Sequence, residues 1–213
     1  MPAYFTVKFQ FRRECLYPDF MKDFYNTLFE AGLKFKSGYW YGKNDDCETI
    51  INWNQQKIED NFVLGRAQHV KYDYKQMLFD FGGFSEVRGF WINYHDKNEF
   101  DFFIIIPEDD IFEYFKPTHE DRYFADKIKL IVSTAAEIWE DTPAVAVQTE
   151  HEFTEADNFL DDLKKGNSPT VLPFAVLPNE YIHLDNEAYS VTELSEKGSL
   201  VVRKKLTYRE NLQ

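Results

Sequence analysis

Hydrophobic and polar residues alternate most clearly at the start of the chain. Every second residue from Ala3 to Phe11 is apolar, and the residues between them are polar or amphipathic. This period of two predicts a strand over residues 3–12, because successive side chains of a strand point to opposite faces. We expect the apolar face to meet the core and the face with Lys8 and Gln10 to meet solvent.

Four other segments have the spacing of amphipathic helices. The pattern predicts a helix that begins after Asp19 and stops near Gly32, and a weaker one over residues 46–60. The strongest helix is predicted over 122–140, and a fourth over 154–164. The inward stripe of the helix over 122–140 comprises Phe124, Ile128, Ile131, Val132, Ala135, Ile138 and Trp139. After Pro107, residues 108–115 are expected to form a helical turn with acidic residues at its positive end.

The remaining apolar runs predict strands. They cover residues 70–81, 87–95 and 99–106, with shorter strands at 144–149 and in a hairpin of 189–193 with 200–206. The run at 99–106 is apolar on both faces, which is typical of a central strand. Pro173 and Pro178 make 171–184 an edge-like segment instead. The class is therefore α+β, mainly an antiparallel sheet with several packed helices. Residues 1–213 form one predicted domain, with a possible division near 115–122.

Charge is distributed very unevenly along this chain. Residues 96–162 contain nineteen acidic and five basic residues, a local net charge of −14, whereas the whole chain has −13. Such a field repels nucleic acid and anionic membranes and attracts cationic partners. We therefore expect a basic protein partner, with neither nucleic acid nor membrane as the target.

Composition indicates a folded protein of the cytoplasm. Aromatic residues make up 18% of the chain, too many for a disordered protein. Cys15 and Cys47 are the only cysteines, which favours free thiols in a reducing compartment. The chain begins directly with a predicted strand, so no signal peptide is expected. The longest apolar run, residues 102–106, is too short to span a bilayer.

Two places combine histidine with carboxylates and could belong to an enzyme. They are His119 with Asp121, and His151 between Glu150 and Glu152. Neither has the spacing of a known metal motif, so we predict no metal and no cofactor. The consecutive acids Glu108, Asp109 and Asp110 cannot form a two-metal site alone, because such sites draw carboxylates from separate elements.

The segment SGYWYG, residues 37–42, displays Trp40 and Tyr41, which are residue types that dominate protein interfaces. The alternative is that these rings cover the core beside the first helix. This segment, together with KIKLIVSTAAEIWEDTPAVAVQTEHE at 127–152, resembles bacterial immunity proteins of polymorphic toxin systems. The resemblance covers about half of the chain, and it implies a small cytosolic inhibitor of a toxin domain.

Sequence therefore favours a non-enzymatic acidic protein that binds a basic partner, and the resemblance implies that this partner is a toxin that it neutralises. The expected contact residues are Glu108, Asp109, Asp110, Glu113, Glu120 and Asp121, with Trp40 and Tyr41 as further contacts. One alternative is a metal-dependent or other hydrolase with its site near His119/Asp121 or Glu150/Glu152. Another is a regulatory or structural domain whose acids only keep it soluble.

Overall fold

The computed structural model of the protein describes residues 3–64, 70–117, 120–152, 158–184 and 187–209. These parts contain four α-helices: α1 (Phe20–Glu30), α2 (Cys47–Glu59), α3 (Ala125–Asp141) and α4 (Leu160–Lys164). The strands are β1 (Tyr4–Arg12), β2 (Lys34–Gly38), β3 (Met77–Asp80), β4 (Val87–Tyr94), β5 (Glu99–Pro107), β6 (Phe112–Phe115), β7 (Glu120–Tyr123), β8 (Ala146–His151), β9 (Phe174–Leu177), β10 (Tyr189–Ser195), β11 (Gly198–Arg203) and β12 (Thr207–Tyr208). No helix in these parts is both long and apolar enough to cross a membrane.

Nine strands form one antiparallel sheet in the order β10-β11-β9-β8-β1-β5-β4-β3-β2. A second, three-stranded sheet has the order β12-β7-β6, and its β12–β7 pair is parallel. The predicted class, α+β with a mainly antiparallel sheet, is confirmed. Core residues from both sides of 115–122 pack in one cluster, and the division of the chain there stays a prediction.

The main core lies between the sheet and the helices α1 and α3. Phe5, Val7, Phe9 and Phe11 of β1 are buried on this face, as their period of two predicts. Most of the α3 stripe is buried too, including Ile128, Ile131 and Ile138, whereas Phe124 is half-buried because it precedes the helix. The aromatic rings pack mainly edge to face, for example Phe11 against Phe24 with centroids 5.4 Å apart.

The opposite face of β1 differs from its prediction. Lys8 and Gln10 were expected in solvent, but both are buried. The Gln10 amide donates to Glu99 Oε1 at 2.7 Å and to the Asn158 carbonyl at 2.9 Å, while the Leu160 amide donates to Glu99 Oε2 at 2.8 Å. The chain around α4 thus covers this face, and hydrogen bonds compensate for the burial of the polar groups.

The proline-flanked segment is not an edge. Strand β9 lies between β8 and β11, and all four of its residues are buried. Pro173 and Pro178 stand immediately outside the strand, so they remove no hydrogen-bond donor from its ladder. The prediction was wrong because it treated the whole of 171–184 as one segment.

Three element boundaries also differ. Residues 108–115 form a short 3₁₀ turn, Glu108–Asp110, and then strand β6 instead of a continuous helical turn. Helix α3 begins at Ala125, because the residues before it pair with β6 as strand β7. The predicted strand at 70–81 is a 3₁₀ turn, Val70–Tyr72, followed by β3. The predicted start of the fourth helix falls within 153–157, outside the described residues.

Candidate functional site

The most exposed aromatic side chains lie in the turn after edge strand β2. We call Tyr39, Trp40 and Tyr41 the aromatic turn. Trp40 is 59% exposed and Tyr41 is 71% exposed, so neither ring covers the core as the alternative interpretation required. A large aromatic side chain left in water is unfavourable in a free protein, which makes this turn a candidate contact surface.

The backbone of the aromatic turn is tightly constrained. A Cβ atom on Gly38 would lie 1.9 Å from the Gly42 carbonyl oxygen, so only glycine fits there. The Tyr39 amide donates to the Gln76 carbonyl at 3.0 Å, and the Gly42 amide donates to the Tyr39 carbonyl at 2.9 Å. Trp40 has φ +46°, a left-handed conformation that is costly for a bulky residue. Strain of this kind is concentrated at functional sites.

An arginine joins the aromatic turn to strand β1. Trp40 stacks on Tyr39 with centroids 5.5 Å apart, and the Arg88 guanidinium lies 4.7 Å from the Tyr39 ring and 5.1 Å from the Tyr4 ring. Arg88 is therefore held between two tyrosine faces, a favourable cation–π arrangement. Partial burial and the carboxylate of Glu86 raise the pKa of Tyr4, so its hydroxyl stays protonated and donates to Glu86 at 3.2 Å.

The same chain of contacts continues to the acidic segment. The Tyr4 amide donates to Glu152 Oε2 at 2.9 Å, and the Glu152 amide donates to Glu108 Oε1 at 3.0 Å. Contacts thus connect Trp40, through Tyr39, Arg88, Tyr4 and Glu152, with Glu108. One residue from each of the two groups selected from the sequence, Trp40 and Glu108, therefore lies on this path.

The six predicted acids do not all face solvent. Glu108 is mostly buried, Asp110 Oδ2 accepts the amide and hydroxyl of Ser85 at 2.7 Å each, and Glu113 pairs with Arg209 at 3.5 Å. Asp109 and Asp121 are exposed. Glu120 begins β7, and its side chain lies outside the described part of the chain. Asp109 and Asp121 are therefore the acids that a partner can reach most directly.

Glu108 also belongs to a partly buried hydrogen-bonded triad. His151 Nδ1 lies 3.2 Å from Glu108 Oε1, and His151 Nε2 lies 2.7 Å from the Tyr123 hydroxyl. The Phe112 ring packs on the imidazole at 4.8 Å between centroids. Burial raises the pKa of Tyr123, which keeps its hydroxyl protonated. Since both ring nitrogens are occupied, the triad connects β7 to β8 and holds the small sheet in place.

Sequence reasoning missed this triad. Glu108, Tyr123 and His151 come from three separate segments, whereas the sequence pairs His151 with its neighbours Glu150 and Glu152. Glu152 instead accepts the Tyr4 amide, and Glu150 is half-buried. No short-range spacing could have revealed the contact, because it depends on how the 3₁₀ turn before β6 meets β7 and β8.

The remaining candidates from the sequence are the possible metal ligands and the two cysteines. His119 lies outside the described residues, and Asp121 is on the surface of β7. Within the described ranges, no group of three or more His, Cys, Asp or Glu side chains is placed to hold a metal ion. Burial raises the pKa of Cys15 to about 12 and also raises that of Cys47, so both thiols are protonated at neutral pH and are weak nucleophiles.

Comparisons with known proteins give a distant structural similarity. No protein-family model and no curated protein matches the chain. A T6SS protein of Pseudomonas aeruginosa is similar with a TM-score of 0.37 and 9% sequence identity, over 94% of this chain and 68% of that one. A function for this chain is therefore inferred from its own residues.

Proposed function

We propose that this chain is a non-enzymatic protein-binding module that neutralises a basic protein partner, as a bacterial immunity protein neutralises a toxin domain. The observation that supports it most strongly is the aromatic turn. Trp40 and Tyr41 present two large rings to solvent from a backbone that Gly38 and Gly42 hold in one tight conformation. Tryptophan and tyrosine are the residues most enriched among interface side chains that carry binding energy.

The constraint on the turn matters as much as its exposure. When a partner binds flexible side chains, their ordering costs about 0.5–1.5 kcal/mol of free energy for each side chain, and the new contacts must offset this cost. Trp40 stacks on Tyr39, and Arg88 lies between Tyr39 and Tyr4, so much of this order exists before binding. A preorganised aromatic surface binds a protein with less entropic loss than a mobile loop does.

Charge supports a basic partner. Asp109 and Asp121 are exposed, and the segment that contains them is strongly acidic. A complementary charged partner would be steered toward this surface, and its association rate would fall as salt screens the attraction. A toxin domain that cuts nucleic acid is itself expected to be basic, since it must bind phosphates. An acidic inhibitor could cover the same surface.

On this proposal we expect a gene for a toxin-like protein beside the gene for this chain in its source genome, and the test uses the protein that such a gene encodes. Both proteins are purified, and association and dissociation rates are measured by biolayer interferometry over a series of salt concentrations. Trp40→Ala and Tyr41→Ala should mainly raise the dissociation rate, whereas Asp109→Lys and Asp121→Lys should mainly lower the association rate. Co-expression in a sensitive host should show loss of protection with the same variants.

Two control variants separate recognition from general effects. Tyr17→Ala removes an exposed aromatic ring at the start of α1, away from the aromatic turn, and Glu30→Lys reverses an exposed charge outside the acidic segment. Both should bind and protect like the unmodified chain. Asp110 is left unchanged because it holds Ser85. If the site variants keep their fold and all bind like these controls, the aromatic turn and the acids are not the contact surface.

A further inference from the structure

The edge of the sheet farthest from the aromatic turn has an unusual exposure. Strand β10 (Tyr189–Ser195) ends the nine-stranded sheet, and among the described residues no strand pairs with its outer side. None of its seven residues is buried, and Val191 is 43% exposed. Unpaired edge strands of this length offer backbone donors and acceptors to another strand, and proteins usually block them with lysine or proline. β10 contains neither.

The regular part of β10 is short and has a defined centre. It pairs with β11 from Tyr189 opposite Arg203 to Glu193 opposite Ser199, and the register then shifts between Glu193 and Ser195. The regular stretch therefore covers residues 189–193, and its central residue is Val191. Since directly opposed residues share a face, Tyr189, Val191, Glu193 and Arg203 all lie on one side of the sheet.

We propose that β10 pairs antiparallel with β10 of a second copy of this chain, with a twofold axis through Val191. A twofold axis makes an interface self-complementary, so each residue pair occurs twice. In this register, Val191 lies opposite Val191 of the second copy, and Tyr189 lies opposite Glu193 of the second copy. Each position along the regular stretch then has a partner, and two nine-stranded sheets join into one.

Charged residues near β10 favour a second copy of the chain as the partner that pairs with its outer side. Arg203, Tyr189 and Glu193 of the second copy fall into one cross-strand row on one face. The exposed Arg203 side chain can therefore reach across Tyr189 to that carboxylate, and the symmetric row repeats the contact. Opposite charges on one face stabilise strand pairing, whereas like charges directly opposite destabilise it. The chain thus presents a basic group and an acidic group at the positions that twofold symmetry brings together.

Dimerisation through β10 leaves the aromatic turn accessible. Strand β2, which leads into that turn, is the other edge of the same sheet, eight strands away. The dimer would present two aromatic turns at its far ends. This inference does not depend on the proposed function, and either one can fail without the other.

The test is sedimentation equilibrium over a concentration series from low micromolar to near-millimolar, with circular dichroism to check the fold of each variant. The unmodified chain should approach twice 25.4 kDa as the concentration rises. Val191→Lys places two ammonium groups opposite each other and should weaken dimerisation about tenfold or more. Val63→Lys is the matched control, because Val63 has a similar exposure of 42% and lies outside the sheet; it should dimerise normally.

Charge reversal tests the register itself. Arg203→Glu and Glu193→Arg should each weaken the dimer, about threefold or more, and the double variant should restore it because the pair is re-formed with opposite signs. A chain that remains a monomer over the whole series would overturn the proposal. So would a dimer that Val191→Lys leaves unchanged, or a double variant no tighter than the single ones.

Discussion

Trp40 offers a direct test of the strained backbone at the aromatic turn. Its φ of +46° is left-handed, which costs an L-residue about 1–2 kcal/mol, whereas glycine adopts it freely. Trp40→Ala and Trp40→Gly both remove the indole and its stacking on Tyr39. The two variants therefore differ only in whether a Cβ atom is present on the strained backbone.

The expected difference follows from two opposing effects. Glycine relieves the strain of about 1–2 kcal/mol, but its unfolded chain gains roughly 0.5–1 kcal/mol of conformational freedom. The glycine variant should therefore have a free energy of unfolding about 0.5–1 kcal/mol above that of the alanine variant. Urea unfolding followed by circular dichroism measures this difference, and both variants should bind the partner more weakly.

A helix position serves as the control. Lys129 is exposed within α3, where glycine is less stable than alanine by about 1 kcal/mol. The sign of the glycine-minus-alanine difference should thus reverse between positions 129 and 40. If glycine is also the less stable residue at position 40, Trp40 does not have a left-handed backbone and the strain argument fails.

Other predictions concern the core, pH and metals. Ile131→Ala and Ile128→Ala should each lower the free energy of unfolding by about 2–5 kcal/mol, because both side chains are buried under the sheet. If urea unfolding shows changes near zero for both variants, these side chains do not face the core. Burial raises the pKa of Glu99 above its ordinary 4.5, so the folded chain holds this proton more tightly than the unfolded chain does. The contribution of Glu99 to the free energy of unfolding should therefore decrease as pH rises from its ordinary pKa to the raised pKa of the folded chain. Glu99→Gln should abolish this pH-dependent decrease when the free energies of unfolding are compared from pH 4 upward. Elemental analysis after dialysis should find no stoichiometric zinc, manganese or calcium, and such a metal would instead favour the enzyme alternative.

The sequence alone determined the elements whose pattern is local. The alternation in β1 and the helical stripe of α3 appear in the structure at nearly the predicted positions. The hairpin of β10 and β11 also forms where its turn residues predicted. Each of these signals depends on residues within a few positions of one another, so one face of the element is set before any tertiary contact forms.

Only the tertiary structure decided what covers each face and which distant side chains meet. Lys8 and Gln10 are polar, yet they are buried because the chain around α4 lies over them. Glu108 belongs to an acidic run that the sequence assigned to a partner-binding surface, but it contacts His151 and the Glu152 amide. Burial and long-range hydrogen bonds depend on the packing of layers, which the period of a single strand or helix does not encode.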